Sequence, residues 1–104
     1  MSAPSQPEQP DIDRIVHEPA RLAILACLSA VESAEFLFVA NQTGLTRGNL
    51  SSHMTKLEEA GYVEVKKEFV ERIPRTLLRI TRRGRTALSD YRRNMLGMLR
   101  DLPR

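Results

Sequence analysis

The 104-residue sequence predicts a mainly α domain carrying one small β-hairpin, and three stretches carry that expectation. Residues 45–62 read as a capped amphipathic helix. The chain then changes to a two-residue period, with Val63 and Val65 alternating with Glu64 and Lys66. Beyond Thr81 it returns to a helical period: Leu88, Tyr91, Met95, Met98 and Leu102 lie at i, i+3, i+7, i+10 and i+14, a two-heptad seam.

From the N-terminus, Asp11 is placed to cap a short helix with Ile12, Ile15 and Val16 on one side. Pro19 suits the first turn of a new helix, which Leu22, Ala23, Leu25, Ala26 and Leu28 carry to about Val31. Nearly all of its positions are apolar or small, so it is expected to be the most buried. Phe36-Leu37-Phe38-Val39 reads either as a short strand before a helix or as the start of that helix; a brief pairing at Phe36 and a helix over 37–43 is the preferred reading. Gly44 stops it. Thr46 caps the next helix, expected over residues 47–60, and Gly61 is its left-handed stop. A helix, a tight Gly-containing turn plugged by Leu45, and a capped second helix make a helix-turn-helix. Residues 69–75 are expected to form a loop, because Pro74 cannot donate to a ladder, and residues 76–80 return as the second strand. Three helices, a hairpin and a last helix from about Arg82 give the winged helix-turn-helix arrangement, the hairpin being the wing.

Composition narrows the function classes. The chain is one small domain's length, with 41% hydrophobic and 28% charged residues, which suits a globular fold. Residues 1–10, rich in Ser, Pro and Gln, lack the basic start and apolar run of a signal peptide and read as a disordered tail on a cytoplasmic protein, with the domain over 11–104. No apolar run approaches the roughly 20 residues a membrane helix needs. The single cysteine, Cys27, sits in an apolar helix and is expected to pack as a small hydrophobe. One cysteine with His17 and His53 assembles no metal site, and no cofactor is indicated. Neither a Gly-rich phosphate loop nor a nucleophile elbow is present, so an enzyme is not expected.

What remains points to nucleic acid. Leu50, Met54 and Leu57 place an apolar stripe on one side of the 47–60 helix, and Gly48, Ser51, Ser52 and Thr55 occupy the other, flanked by Asn49 and Lys56. Such a slim polar face can enter a DNA groove, where bulky side chains would hold the backbone off the base edges. Residues 1–61 hold four basic and eight acidic side chains, whereas residues 62–85 hold eight basic and three acidic. A positive field gathered beside that helix is the footprint of a phosphate-binding surface. Thr46, Arg47, Gly48, Asn49, Ser51, Ser52, Thr55 and Lys56 on the helix, with Lys67, Arg72 and Arg75 on the wing, are therefore the expected contacts to double-stranded DNA.

His17-Glu18-Pro19-Ala20-Arg21-Leu22-Ala23-Ile24-Leu25, then Leu45-Thr46-Arg47-Gly48-Asn49-Leu50-Ser51-Ser52-His53-Met54, Leu57-Glu58-Glu59-Ala60-Gly61-Tyr62-Val63 and Pro74-Arg75-Thr76, resemble the small winged-helix transcriptional regulators related to the MarR and ArsR groups. The resemblance covers about residues 11–92. It implies a homodimer that binds DNA through the helix beginning at Arg47 and the wing near Arg72 and Arg75. Many relatives carry glycine in the wing loop where this chain has Glu71, and the paired cysteines of metal-sensing ArsR members are absent. The dimer is expected to form through Leu88, Tyr91, Met95, Leu99 and Leu102, helped by Ile12, Ile15 and Val16. Two other readings stand beside this one: a winged helix whose basic wing docks an acidic protein partner, and a sensor with a small-molecule effector held between the dimer helices and the core.

Overall fold

The computed structural model describes residues 11–103; the tail expected over residues 1–10 lies outside them. Along the chain come α1 (Pro19–Ser29), β1 (Ala34–Glu35), α2 (Phe36–Thr43), α3 (Arg47–Glu59), β2 (Val63–Val70), β3 (Ile73–Ile80) and α4 (Arg82–Arg100). The strands form one antiparallel sheet in the order β1-β3-β2. α2 and α3 are the helix-turn-helix, and β2 with β3 is the wing.

Local chemistry explains each boundary. The short helix expected from Asp11 does not form. Asp13 instead closes a turn, its carboxylate accepting from the Ile15 and Val16 amides at 2.9 and 3.3 Å. Pro19 forces Glu18 into extended backbone (φ −155°, ψ 129°), which stops any helix running on from residue 12. The Glu18 carboxylate then caps α1 by accepting from the Ala20 and Arg21 amides at 3.0 and 2.8 Å. The strand pairing expected at Phe36 falls on Ala34 and Glu35, and α2 starts at Phe36 itself. Gly44 ends α2 in the left-handed region at φ 74°, as its missing Cβ allows. Thr46 caps α3 by accepting from the Asn49 amide at 3.1 Å.

The wing is longer than the sequence suggests. Its loop is two residues, Glu71 and Arg72, with φ of 51° and 69°, the conformation a two-residue hairpin turn demands. Non-glycine residues there cost about 1 kcal/mol each. Val70 pairs with Ile73 to close the hairpin, so Phe69 and Pro74 form the next, non-hydrogen-bonded pair. The amide that Pro74 lacks would therefore point to the free edge, since β1 reaches only Leu77 and Leu78.

The core gathers Val16, Ile24, Leu25, Leu28, Val39, Leu50, Met54, Leu57, Val63, Leu78 and Ile80. α1 contributes only one side of itself, because Ala23 and Ala26 are exposed. α4 is pinned to the turn after α3. The Thr81 hydroxyl donates to Gly61 O at 2.6 Å and accepts from the Gly84 amide at 3.0 Å, while the Thr81 amide donates to Tyr62 O at 2.9 Å. Gly84 lies so close to Tyr62 that a Cβ would meet its carbonyl oxygen at 2.1 Å. Arg85 closes the other end of α1, donating to Ser29 O and Val31 O at 3.0 and 3.3 Å.

A polar cluster fixes α3 against α1. Arg21, only 8% exposed, donates through Nε to Ile15 O at 2.6 Å and through Nη2 to Arg14 O at 3.4 Å. Its Nη1 donates to His53 Nδ1 at 3.3 Å, which places the ring proton on Nε2. Glu18 Oε2 lies 3.6 Å from His53 Nδ1 and 3.9 Å from Arg21. Partial burial pushes the Glu18 carboxyl up, but the Arg21 and Ala20 amides and the charge of Arg21 outweigh it and hold it below the usual value.

Gly84→Ala is expected to lower stability by about 2 kcal/mol or more through the Tyr62 clash, dropping Tm by roughly 8 °C or more in thermal unfolding. An unchanged Tm would show that α4 is not pinned there. Because its folded pKa is depressed, Glu18 contributes stability above its ordinary carboxylate pKa that is lost as pH falls through the folded value. Glu18→Ala should therefore cost about 1 kcal/mol at neutral pH, and the gap to the wild type should narrow in urea titrations at acid pH.

Candidate nucleic-acid interface

Alternation along the wing sorts its side chains into two faces. Val63, Val65, Lys67 and Phe69 of β2 share one face with their partners Ile80, Leu78, Thr76 and Pro74 of β3. Glu64, Lys66, Glu68 and Val70 share the other with Arg79, Leu77, Arg75 and Ile73. The first face begins in the core and continues outward beside α3. There the two elements enclose a groove of about 700 Å³, lined by Ser51, Met54, Thr55 and Glu58 from α3, Val65, Lys67, Thr76 and Leu78 from the wing, and Phe36.

α3 presents the two sides its spacing implied. Leu50, Met54 and Leu57 are buried, and Arg47, Gly48, Asn49, Ser51, Ser52, Thr55 and Lys56 are exposed. The Thr46 hydroxyl is engaged as the cap, and the Thr55 hydroxyl donates to Ser51 O at 3.1 Å. A Cβ added at Gly48 would meet nothing within 4 Å, so nothing in the fold of the described residues requires glycine there.

The wing's charge is less available than its composition suggests. Arg75 is half-buried on the outer face, away from the groove, and is ion-paired with Glu35 of β1. The register sets it opposite Glu68, on the face away from Lys67. Arg79 pairs with Glu64, and Lys66 lies 3.6 Å from Glu68, so the outer face is largely neutralised. Lys67 stands on the groove face, and Arg72 is exposed at the tip. What sequence reasoning missed is the exposed apolar tip, with Phe69 at 76% and Ile73 at 63%; counting alternation on from Val63 would have put Phe69 on the groove face.

Other expected residues divide similarly. Val16 is fully buried in the chain's own core, which removes it from any surface between copies. Ile15, Leu88 and Tyr91 are partly buried against that core, and the Tyr91 hydroxyl lies 2.8 Å from His17 Nδ1. Beyond Tyr91 the apolar side of α4 is open, with Leu96 and Leu99 at 49 and 54% exposure, and Leu102 just past the helix is 62% exposed. Burial pushes the Cys27 thiol up, the opposite of what a reactive thiolate needs. Tyr62 is pushed up to about 12 by burial and by its hydrogen bond to Asp13, so it stays a donor. Among the described residues no group of three or more His, Cys, Asp or Glu could hold a metal ion, and no helix is long and apolar enough to cross a membrane.

Comparison with known proteins agrees with this fold. Residues 20–99 match the family model of the winged helix DNA-binding domain. An uncharacterized protein of Methanocaldococcus jannaschii is 36% identical over 89 residues, covering 86% of this chain and 97% of that protein. The structure of a transcriptional regulator homologue from Pyrococcus horikoshii OT3 superposes with a TM-score of 0.79 at 32% identity, over 85% of this chain and 89% of that one. The repressor CouR, solved on a 23-mer DNA duplex, shares the fold with a TM-score of 0.67 at 22% identity, over 80% of this chain and 61% of its own. A MarR family regulator from Silicibacter pomeroyi shares it too, with a TM-score of 0.64. The chain belongs to the winged helix DNA-binding domain family, a family of transcriptional regulators and not of enzymes.

Proposed function

We propose that this protein is a homodimeric, sequence-specific transcriptional regulator that lays α3 in the major groove of double-stranded DNA and the wing along the adjacent backbone. The observation that carries the reading is that the slim polar side of α3 and the Lys67–Thr76 face of the wing border one open groove. Arg47, Asn49, Ser51 and Ser52 are the candidate base readers, and Thr55, Lys56, Lys67 and Arg72 the candidate phosphate contacts. Thr46 acts through its cap, and Arg75 leaves the contact set because Glu35 holds it on the outer face. Residues 11–104 serve as one DNA-binding unit, working in the cytoplasm with the chromosome. Its second copy covers the open side of α4, meeting Met95, Leu99 and Leu102 with support from Ile12, Ile15, Leu88 and Tyr91. Two-fold symmetry then asks for half-sites about 34 Å apart, one helical turn, or a multiple of that.

Gly48 adds support of a different kind. A glycine in the first turn of an exposed helix costs up to about 1 kcal/mol relative to alanine, the helix-interior value. With open space around its missing Cβ, it is a partner approaching α3 that would gain from its smallness. Gly48→Ala should thus raise Tm by a few degrees while weakening DNA binding; a variant both more stable and equally tight would remove this support.

The DNA-binding reading is tested by titrating duplexes selected from a random pool at several salt concentrations. Affinity should fall steeply with salt, and each phosphate contact removed by Lys67→Ala or Arg72→Ala should reduce the log–log slope by about 0.9. Arg75→Ala should leave the slope unchanged. Salt-insensitive binding, or an unaltered slope in an Arg47→Ala, Lys67→Ala, Arg72→Ala triple variant, would favour a protein-docking role for the wing.

A further inference from the structure

Beyond Arg72, the tip of the wing offers little to a phosphate. Arg72 stands beside Glu71 in the turn, and Arg75 is turned outward onto Glu35. What the groove face offers beyond Lys67 and Thr76 is the cross-strand pair Phe69 and Pro74. Phe69 is 76% exposed, more than any other large hydrophobic side chain among the described residues. Leaving a phenylalanine in water forgoes the favourable burial that every core position of this chain obtains, so a partner that covers it would recover that contribution.

We propose that Phe69, backed by Pro74, is an apolar wedge that presses on the sugars and base edges of the DNA minor groove next to the one α3 faces; this rests on the DNA-binding reading above. Three observations select DNA as the occupant. The side chain lies two residues beyond Lys67 on the same face, at a strand rise that carries it about 7 Å further out along the same surface. That face is continuous with the α3 groove. A second copy is a poorer occupant, because a tip-to-tip contact would gather two copies of the exposed Lys67 and Arg72 against only two of Glu71. Apolar side chains pressed between base steps unstack and kink a duplex, and this contact releases no counterions. The wedge therefore has a signature distinct from that of Lys67: it changes affinity and bend without changing the salt slope.

The experiment compares the full-length wild type, Phe69→Ala, Phe69→Leu and Lys67→Ala on a duplex selected by the wild type. Anisotropy at two salt concentrations gives affinity and slope, end-labelled energy transfer gives the bend, and sedimentation gives the assembly state. Phe69→Ala should weaken binding about tenfold, keep the wild-type slope and relax the bend, while Phe69→Leu recovers most of the affinity. If Phe69→Ala retains affinity and bend while the wild type binds steeply, the wedge is overturned and the α3 reading stands. A changed assembly state in Phe69→Ala would assign the tip to a second copy and also overturn the wedge. Failure of the wild type to bind any duplex would overturn both together.

Discussion

The guanidinium of Arg21 holds α3 in its orientation against the rest of the molecule. It is a charge carried almost out of water, and it persists because every direction it faces offers an acceptor: Ile15 O, Arg14 O, His53 Nδ1 and the nearby Glu18 carboxylate. A buried charge with satisfied hydrogen bonds adds little net stability, yet leaving it without those bonds costs several kcal/mol. Arg21 therefore acts chiefly as a constraint on geometry. It joins the segment before α1, α1 itself and α3, so that α3 cannot rotate about its axis without breaking the part-buried Arg21–His53 bond. The apolar stripe of Leu50, Met54 and Leu57 reinforces the same orientation from below.

Once α3 is fixed, the junction at its C-terminal end places the wing. Gly61 takes φ 80°, Tyr62 and Thr81 exchange backbone and side-chain bonds with the turn, and Gly84 brings α4 against Tyr62 O. β2 leaves this junction with Val63 and Val65 turned inward, and strict alternation then decides the face of every residue to the tip. Ion pairs neutralise the outer face, and the inner face keeps Lys67 unpaired among the described ion pairs. The proposed function rests on that asymmetry: one side of the ribbon shares a groove with α3, and the other is paired within the fold.

Much of this was legible in the residues. Caps and stops at Pro19, Gly44, Thr46, Gly61 and Thr81 act over one turn, so local chemistry alone placed the helices within a residue or two. Two things were not local, and a third was a local turn read as a helix. Glu35 is forty positions from Arg75, and no pattern within the wing shows that the arginine is taken. Pro74 reads as a strand breaker until the pairing shows its missing amide on the free edge. Val16 looks like a surface apolar residue of a short helix, but Asp13 folds that segment into a turn that drops it into the core. Basic residues counted along the chain likewise exaggerate the field, because pairing across strands cancels much of it.

The central claim is that the exposed side of α3 and the inner side of the wing act as one DNA-facing surface. Backbone amide shifts recorded by NMR on titrating a selected duplex test it most directly. Perturbations are expected at Gly48, Ser51, Thr55, Lys67 and Phe69 together, with Arg75, Arg79 and the outer face unmoved. Shifts confined to the outer face or to α4, with α3 silent, would contradict it.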